Sequence, residues 1–370
     1  CGWSNFVLSH ICCFGLSWSS VRSTALSLHL PPSRRRKEAG GGGKRYYLAA
    51  PCSSSHSPPP YLPAPSNFSR KVPELSPSHT YSQITQPSFL KPLYFEVPRT
   101  SVSPLTGRAW LFREVLEQLS LPLPSSPGVL VLGGPGAGKT AVILSLVEAS
   151  CFGQGGRPGH ERPNSYLGRL ASHVVAYHFC QADNSPTCLV PQFVHSVAAQ
   201  MSQAPALAAY FQLIQAEPEV QALLSLPSCQ ADPSSSLLHG ILEPIRLLGH
   251  QGRIDTSKLC VLVVDALCEA DQLRPDFGDT LAGFLVRHLP SFPPWLKLVC
   301  TLRSNQQELA RELPFHRVSL DNTDSDERIS KDVTDYIKGR VAASTSIAAN
   351  IGSNGEVVNK LTQHLVNKVS

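Results

Sequence analysis

From Leu105 onward the chain switches repeatedly between two spacings of hydrophobic positions. Trp110, Leu111, Val115, Leu116 and Leu119 recur at helical spacing and predict an amphipathic helix stopped by Pro122 and Pro124. Gly128-Val129-Leu130-Val131-Leu132 is a short apolar run ending in glycines, the mark of a buried strand. An apolar helix is expected from Ala141 to Ser150, a second strand from His173 to Phe179, and a helix from Pro191 to Met201 with proline in its first turn. Ala204 to His250 reads as helical but irregular. Leu259 to Val264 predicts a third strand, Thr280 to Leu289 a helix, and Leu296 to Thr301 a fourth strand. Beyond Asp321 only helices are expected, notably around Val333 to Val341, with the charges of Asp321–Lys331 reading as a solvated helix start. Strands that alternate with helices predict an α/β fold, a mostly parallel sheet with helices on both faces. No repeat of 20–50 residues is visible.

Composition divides the chain at the same place. Residues 1–104 hold 14 of the 32 prolines, the tract Gly40–Gly43, and the basic run Arg34-Arg35-Arg36-Lys37. They carry 11 Lys/Arg against 3 acids, whereas residues 105–370 carry 21 against 24. The net charge of +5 thus averages a basic leader with a slightly acidic remainder, which excludes a general nucleic-acid groove in the larger part. With little apolar periodicity after its first thirty residues, 1–104 is expected to be disordered, its basic run a solvated linker charge rather than a targeting patch. Residues 105–320 are expected to form the α/β domain, and 321–370 the start of a helical lid. The 11 cysteines are scattered and include no Cys-x-x-Cys, which predicts free thiols in a reducing compartment. No stretch reaches the roughly 18 unbroken apolar residues that span a bilayer. Polar interruptions in Cys1–Ser20, with no basic residue before it, argue against a signal peptide, and Cys1 in place of methionine predicts a fragment.

The strongest chemical signal is Gly133-Gly134-Pro135-Gly136-Ala137-Gly138-Lys139-Thr140, which fits G-x-x-x-x-G-K-[ST] at every fixed position. Glycines let successive backbone N–H groups turn inward around a phosphate, and the helix that follows presents its positive end to the same anion. Lys139 would reach the β- and γ-phosphates, and the Thr140 hydroxyl would ligate Mg²⁺. A strand before the motif and an apolar helix after it supply the required context, so the loop reads as a P-loop.

Asp265 ends the third expected strand, 126 residues after Lys139, at the edge where α/β sheets place ligands; it is expected to hold Mg²⁺ through water. Hydrolysis also needs a group that positions water. Residue 266 is alanine, so Glu269 is the nearest acid, equally readable as a surface carboxylate. Arg303, two residues past the fourth strand, would project toward the γ-phosphate, and Arg108 would approach the nucleotide from the first helix. His178, Cys180, Cys188 and His195 can be drawn as a zinc quartet, but their spacing matches no tight metal loop, so they are read as structural. Cys151, Cys229 and Cys268 have no nearby basic pair in sequence that would mark a nucleophile.

These motifs together resemble the STAND class of P-loop ATPases. Leu105-Thr-Gly-Arg108-Ala-Trp-Leu-Phe112 is similar to their leading Gly-Arg motif, Val129–Thr140 to their Walker A, and Val261–Glu269 to their Walker B. Lys297–Arg303 is similar to their sensor strand, and Asp332-Val-Thr-Asp-Tyr-Ile337 to the helix that begins their lid. Ala176–Asp183, Arg274–Thr280 and Pro294–Leu298 resemble, more narrowly, the TANC scaffold proteins. The resemblance covers about residues 100–370. Cys268 departs from it, standing where the class has the first of a later acidic pair, which weighs against turnover.

The resulting expectation is an ATP- or ADP-binding module with Mg²⁺, acting as a regulatory or oligomerisation switch. The resemblance further implies a cytoplasmic, postsynaptic scaffold that binds protein partners and can self-associate, while the charge balance and the lack of a long apolar stretch predict no nucleic-acid partner and no membrane span. The alternatives are a hydrolysing ATPase that uses Glu269, or a degenerate fold serving only as an interaction platform. A small-molecule kinase fits less well, because no arginine-rich lid follows a central strand.

Overall fold

The computed structural model describes residues 89–92, 105–121, 126–153, 165–272, 279–321, 325–344 and 355–369. The expected disordered segment 1–104 lies outside these except for 89–92, where Leu90 is buried at 2 % exposure. Most of Arg274–Thr280 also lies outside them.

Five strands form one sheet: β1 (Gly128–Gly133), β2 (Val174–Phe179), β3 (Cys260–Asp265), β4 (Leu296–Arg303) and β5 (His316–Ser319). Their order is β2-β3-β4-β1-β5, and every pairing is parallel. From β1 the chain crosses to the far edge, works inward through β3 and β4, and then places β5 on the other side of β1. This reversal of direction in the strand order puts the C-terminal ends of β1, β3 and β4 around one crevice.

The helices are α1 (Ala109–Leu119), α2 (Lys139–Glu148), α3 (Tyr166–Ala171), α4 (Val190–Met201), α5 (Ala208–Ala216), α6 (Pro218–Leu224), α7 (Leu226–Ala231), α8 (Pro233–Leu237), α9 (Glu243–His250), α10 (Leu267–Gln272), α11 (Leu281–His288), α12 (Glu327–Ala343) and α13 (Gly355–Val369). Successive strand side chains leave opposite faces of the sheet, and here both faces are covered. Leu130, Leu132, Leu262, Val264, Leu298 and Leu302 enter a core closed by α4 to α11. Val129, Val131, Val261, Val263 and Val299 enter a second core closed by α1, α2 and α3. This is why the central strands read as unbroken apolar runs rather than alternating ones. A smaller cluster of Ile337 and Val341 with Leu365 and Val366 joins α12 to α13.

Among the described residues β2 lies at one edge of the sheet, and its outer backbone is met from α4. The Gln200 amide accepts from the Tyr177 N–H at 2.9 Å and donates to the Tyr177 carbonyl at 2.8 Å. A buried amide that matches both groups of one strand residue satisfies them much as a strand backbone would.

Three departures from the sequence reading bear on the site. α2 begins at Lys139 rather than Ala141, so Lys139 and Thr140 lie in its first turn. β4 runs on through Arg303 instead of ending at Thr301, because β1 offers partners as far as Gly133, which pairs with Arg303. β5 was not expected at all: of His316-Arg317-Val318-Ser319 only Val318 is buried, and an edge strand this short leaves no apolar run to find.

Candidate functional site

Gly133 closes β1, and the chain then turns sharply, with the Ala137 N–H donating to the Gly134 carbonyl at 3.3 Å. Gly136 and Gly138 adopt φ of 81° and 89°, left-handed values that a side chain would strain, and Gly138 is the N-cap of α2. The Lys139 ammonium folds over the turn, donating to the Gly133 carbonyl at 2.7 Å and the Gly134 carbonyl at 2.8 Å. Burial lowers the Lys139 pKa, opposed first by the Asp265 carboxylate. Pro135 and Ala137 complete the loop.

Asp265, 2 % exposed, is the last residue of β3. Its carboxylate accepts from the Thr301 hydroxyl at 2.6 Å, and the Thr140 hydroxyl lies near it. Burial raises its pKa, while the Thr301 and Thr140 hydroxyls and the Lys139 charge act the other way. Thr301 in turn accepts the Ala266 N–H at 2.8 Å, holding Ala266 at φ 54°, a left-handed value uncommon for alanine. The two residues expected to serve Mg²⁺, Thr140 and Asp265, are thus adjacent. They offer the hard oxygens that such an ion prefers. Thr301 was missed by sequence reasoning because a threonine inside a strand gives no signal of its own.

The Ala266 turn starts α10, which carries Glu269. Its carboxylate accepts from the Ala182 N–H at 3.1 Å and pairs with the Arg303 guanidinium at 3.2 Å. Sequence reasoning gave these two residues separate roles, and the structure joins them. Arg303 is not beyond its strand but is its last residue. Cys268 also needs correction: both Lys139 and Arg303 are close enough to interact with its thiol, although burial still pushes the thiol pKa up. It therefore has basic neighbours without becoming an activated nucleophile.

Arg108 sits on the other side of the loop with φ 64°, donating through Nη2 to the Ala137 carbonyl at 3.1 Å. Its backbone N–H donates to Asp332 of α12 at 2.9 Å, and the Trp110 indole donates to the same carboxylate at 2.8 Å. Asp321, which follows β5, accepts the Gly134 N–H at 2.6 Å and the Ser304 hydroxyl. Asp321 was expected to belong to a solvated helix start. It instead ties the loop to the residue after Arg303, and α12 begins later, capped by Asp326, which accepts the Arg328 N–H at 2.9 Å.

The drawn zinc quartet consists of residues bonded elsewhere. His178 contacts the Thr187 carbonyl at 2.7 Å, and His195 the Leu224 carbonyl at 2.8 Å and the Lys91 N–H at 3.2 Å. Among the described residues no group of three or more His, Cys, Asp or Glu is arranged to hold a metal, and no helix is long and apolar enough to cross a membrane.

The architecture defines an α/β protein with a parallel sheet covered on both faces and a glycine-rich loop at its crevice. Residues 107–303 match the family model Nephrocystin 3, N-terminal. That span is more than half of the chain, and the chain belongs to this family. The match covers Arg108, the Gly133–Thr140 loop, Asp265, Glu269 and Arg303. No solved structure matches the chain.

Proposed function

We propose that the crevice binds ATP or ADP with Mg²⁺ and that the domain is a nucleotide-dependent switch. The observation that carries this reading is the convergence of Lys139, Thr140 and Asp265 behind a loop whose Gly136 and Gly138 are left-handed. Backbone N–H groups of the loop and the start of α2 would hold the phosphates, Lys139 would neutralise them, and Thr140 with Asp265 would hold Mg²⁺. The metal would neutralise phosphate charge. In the structure described here, Lys139 is spent on two loop carbonyls, partners that an arriving phosphate would replace.

Binding without fast turnover is favoured over a hydrolysing ATPase. Glu269 is engaged by Ala182 and Arg303, and the residue beside Asp265 is an alanine. Arg303 would exchange Glu269 for a γ-phosphate, which would make it a reporter of ATP rather than ADP. The motifs at 176–183 and 294–298 support placing this switch within a TANC-like cytoplasmic, postsynaptic scaffold that self-associates and binds protein partners.

The test is thermal unfolding of the 370-residue chain with Mg·ATP, Mg·ADP or neither, beside Lys139→Ala. At a hundredfold excess over Kd, binding adds about 2.7 kcal/mol. For a domain of this size, in which each kcal/mol is worth a few degrees, that raises Tm by roughly 5–10 °C. A rise that disappears in Lys139→Ala is the expected result. No rise in a chain shown to be folded would leave an interaction platform as the better account.

A further inference from the structure

The helix α12 reaches the nucleotide crevice through one carboxylate. Asp332 Oδ2 accepts two hydrogen bonds, from the backbone of Arg108 at 2.9 Å and from the Trp110 indole at 2.8 Å. The site is built for a side chain of this size. A Cβ on Gly107 would lie 2.4 Å from Asp332 Oδ1, and Gly107 holds φ 80°, so glycine there both makes the turn and clears the space. A second contact braces the helix. The Arg328 guanidinium lies 4.2 Å from the centre of the Trp110 ring and pairs with Glu114 at 3.1 Å and Asp326 at 2.7 Å.

Arg108 is left in a particular state by this arrangement. Its side chain is 11 % exposed, and its Nη2 is satisfied by Ala137 of the loop. Its Nη1 is buried without a hydrogen-bond partner, 3.8 Å from Asp332 Oδ2. A buried guanidinium N–H without an acceptor is costly. Asp332 supplies compensating charge, but at that distance no hydrogen bond.

We propose that Asp332 is a positioning residue for the crevice: it fixes Arg108 so that Nη1 receives an oxygen of the bound nucleotide. This proposal rests on the reading of Gly133–Thr140 as a phosphate loop. On this account α12 supports ligand binding without touching the ligand, and the influence passes from Asp332 through Arg108 to the loop.

A double-mutant cycle separates positioning from general support. Affinity for Mg·ATP is measured by isothermal titration in the full chain and in Arg108→Ala, Asp332→Ala, and the double variant. Asp332→Ala is expected to weaken binding roughly 10-fold, the effect of losing one hydrogen bond to a charged group. In the Arg108→Ala background the same change should cost less than about twofold, since there is nothing left to position. Asp332→Asn keeps an oxygen for both N–H groups and should recover most of the affinity. Equal losses in both backgrounds, or no loss in either, would overturn the proposal. Should the folded wild-type chain bind no Mg·ATP, the phosphate-loop reading fails and the proposal falls with it. That failure is distinguishable, because it appears before any variant is made. Should Asp332→Ala not fold, the cycle is run with Trp110→Phe in its place, which removes the indole donor that holds the Asp332 carboxylate, and equal losses with and without Arg108 would overturn it in the same way.

Discussion

Arg303 and Glu269 meet at the C-terminal edge of the sheet, guanidinium to carboxylate at 3.2 Å, although 34 residues and one crossover separate them. Each therefore occupies the other, and under the proposed function this is where a terminal phosphate would arrive. Both side chains keep some exposure, 40 % for Arg303 and 25 % for Glu269, so the pair is exchangeable rather than sealed.

The first prediction concerns that exchange. Arg303→Ala should lower affinity for Mg·ATP roughly 10-fold while leaving Mg·ADP nearly unchanged, because only the triphosphate offers a new partner for the guanidinium. Titrations with the two nucleotides decide it, and equal losses would show that Arg303 does not distinguish them.

Thr301 holds Asp265 from inside the sheet. Thr301→Val removes a hydroxyl that bridges the Asp265 carboxylate and the Ala266 N–H. A buried pair left unsatisfied in this way should cost about 1–3 kcal/mol in chemical denaturation. Because Asp265 is the expected support for the metal, the benefit of adding Mg²⁺ to ATP binding should shrink as well. Retention of the full Mg²⁺ effect would show that Asp265 needs no help from Thr301.

The course of the sheet was legible in the sequence because its central strands are buried on both faces. β1, β3 and β4 announced themselves as apolar runs, and the loop after β1 by its glycines and Lys139-Thr140. What escaped was set by partners distant in sequence. β4 continues to Arg303 because Gly133 is opposite, and β5 exists because the flank of β1 needed a neighbour. The contacts of Asp321 with Gly134 and of Asp332 with Arg108 span 187 and 224 residues, and no local pattern encodes them.

Gly107 tests the space around Asp332. Gly107→Ala combines a left-handed φ of 80° with a Cβ that would overlap Asp332 Oδ1 at 2.4 Å. Backbone strain and displacement together should cost about 1–3 kcal/mol. The emission of Trp110 should change with it, since its indole loses the same carboxylate. An unchanged denaturation midpoint would show that the turn relaxes freely.

Acid should destabilise the fold through His178. This ring is 1 % exposed, and its contact with the Thr187 carbonyl fits a neutral ring carrying the proton on Nε2. Burial lowers its pKa from 6.5 to about 4. The unfolded chain then binds the proton first, so this contribution is complete above pH 6.5 and is lost as pH falls toward 4. Between pH 7 and pH 5 the loss from this one group should be about 2 kcal/mol. His173 and His288, also lowered by burial, act in the same direction. Urea midpoints at the two pH values, compared with His178→Phe, measure the His178 share; an equal slope in the variant would assign the acid sensitivity elsewhere.

The bond between Asp321 and the Gly134 N–H has a practical corollary. A piece cut at Arg303, where the family match stops, would lack β5, the acceptor for the loop's first turn, and the carboxylate under Arg108. Such a piece would expose the flank of β1 as a raw sheet edge, which is an invitation to aggregate. The smallest soluble piece is therefore expected to extend at least through α12, and solubility on expression would be the earliest sign of whether the boundary was drawn in the right place.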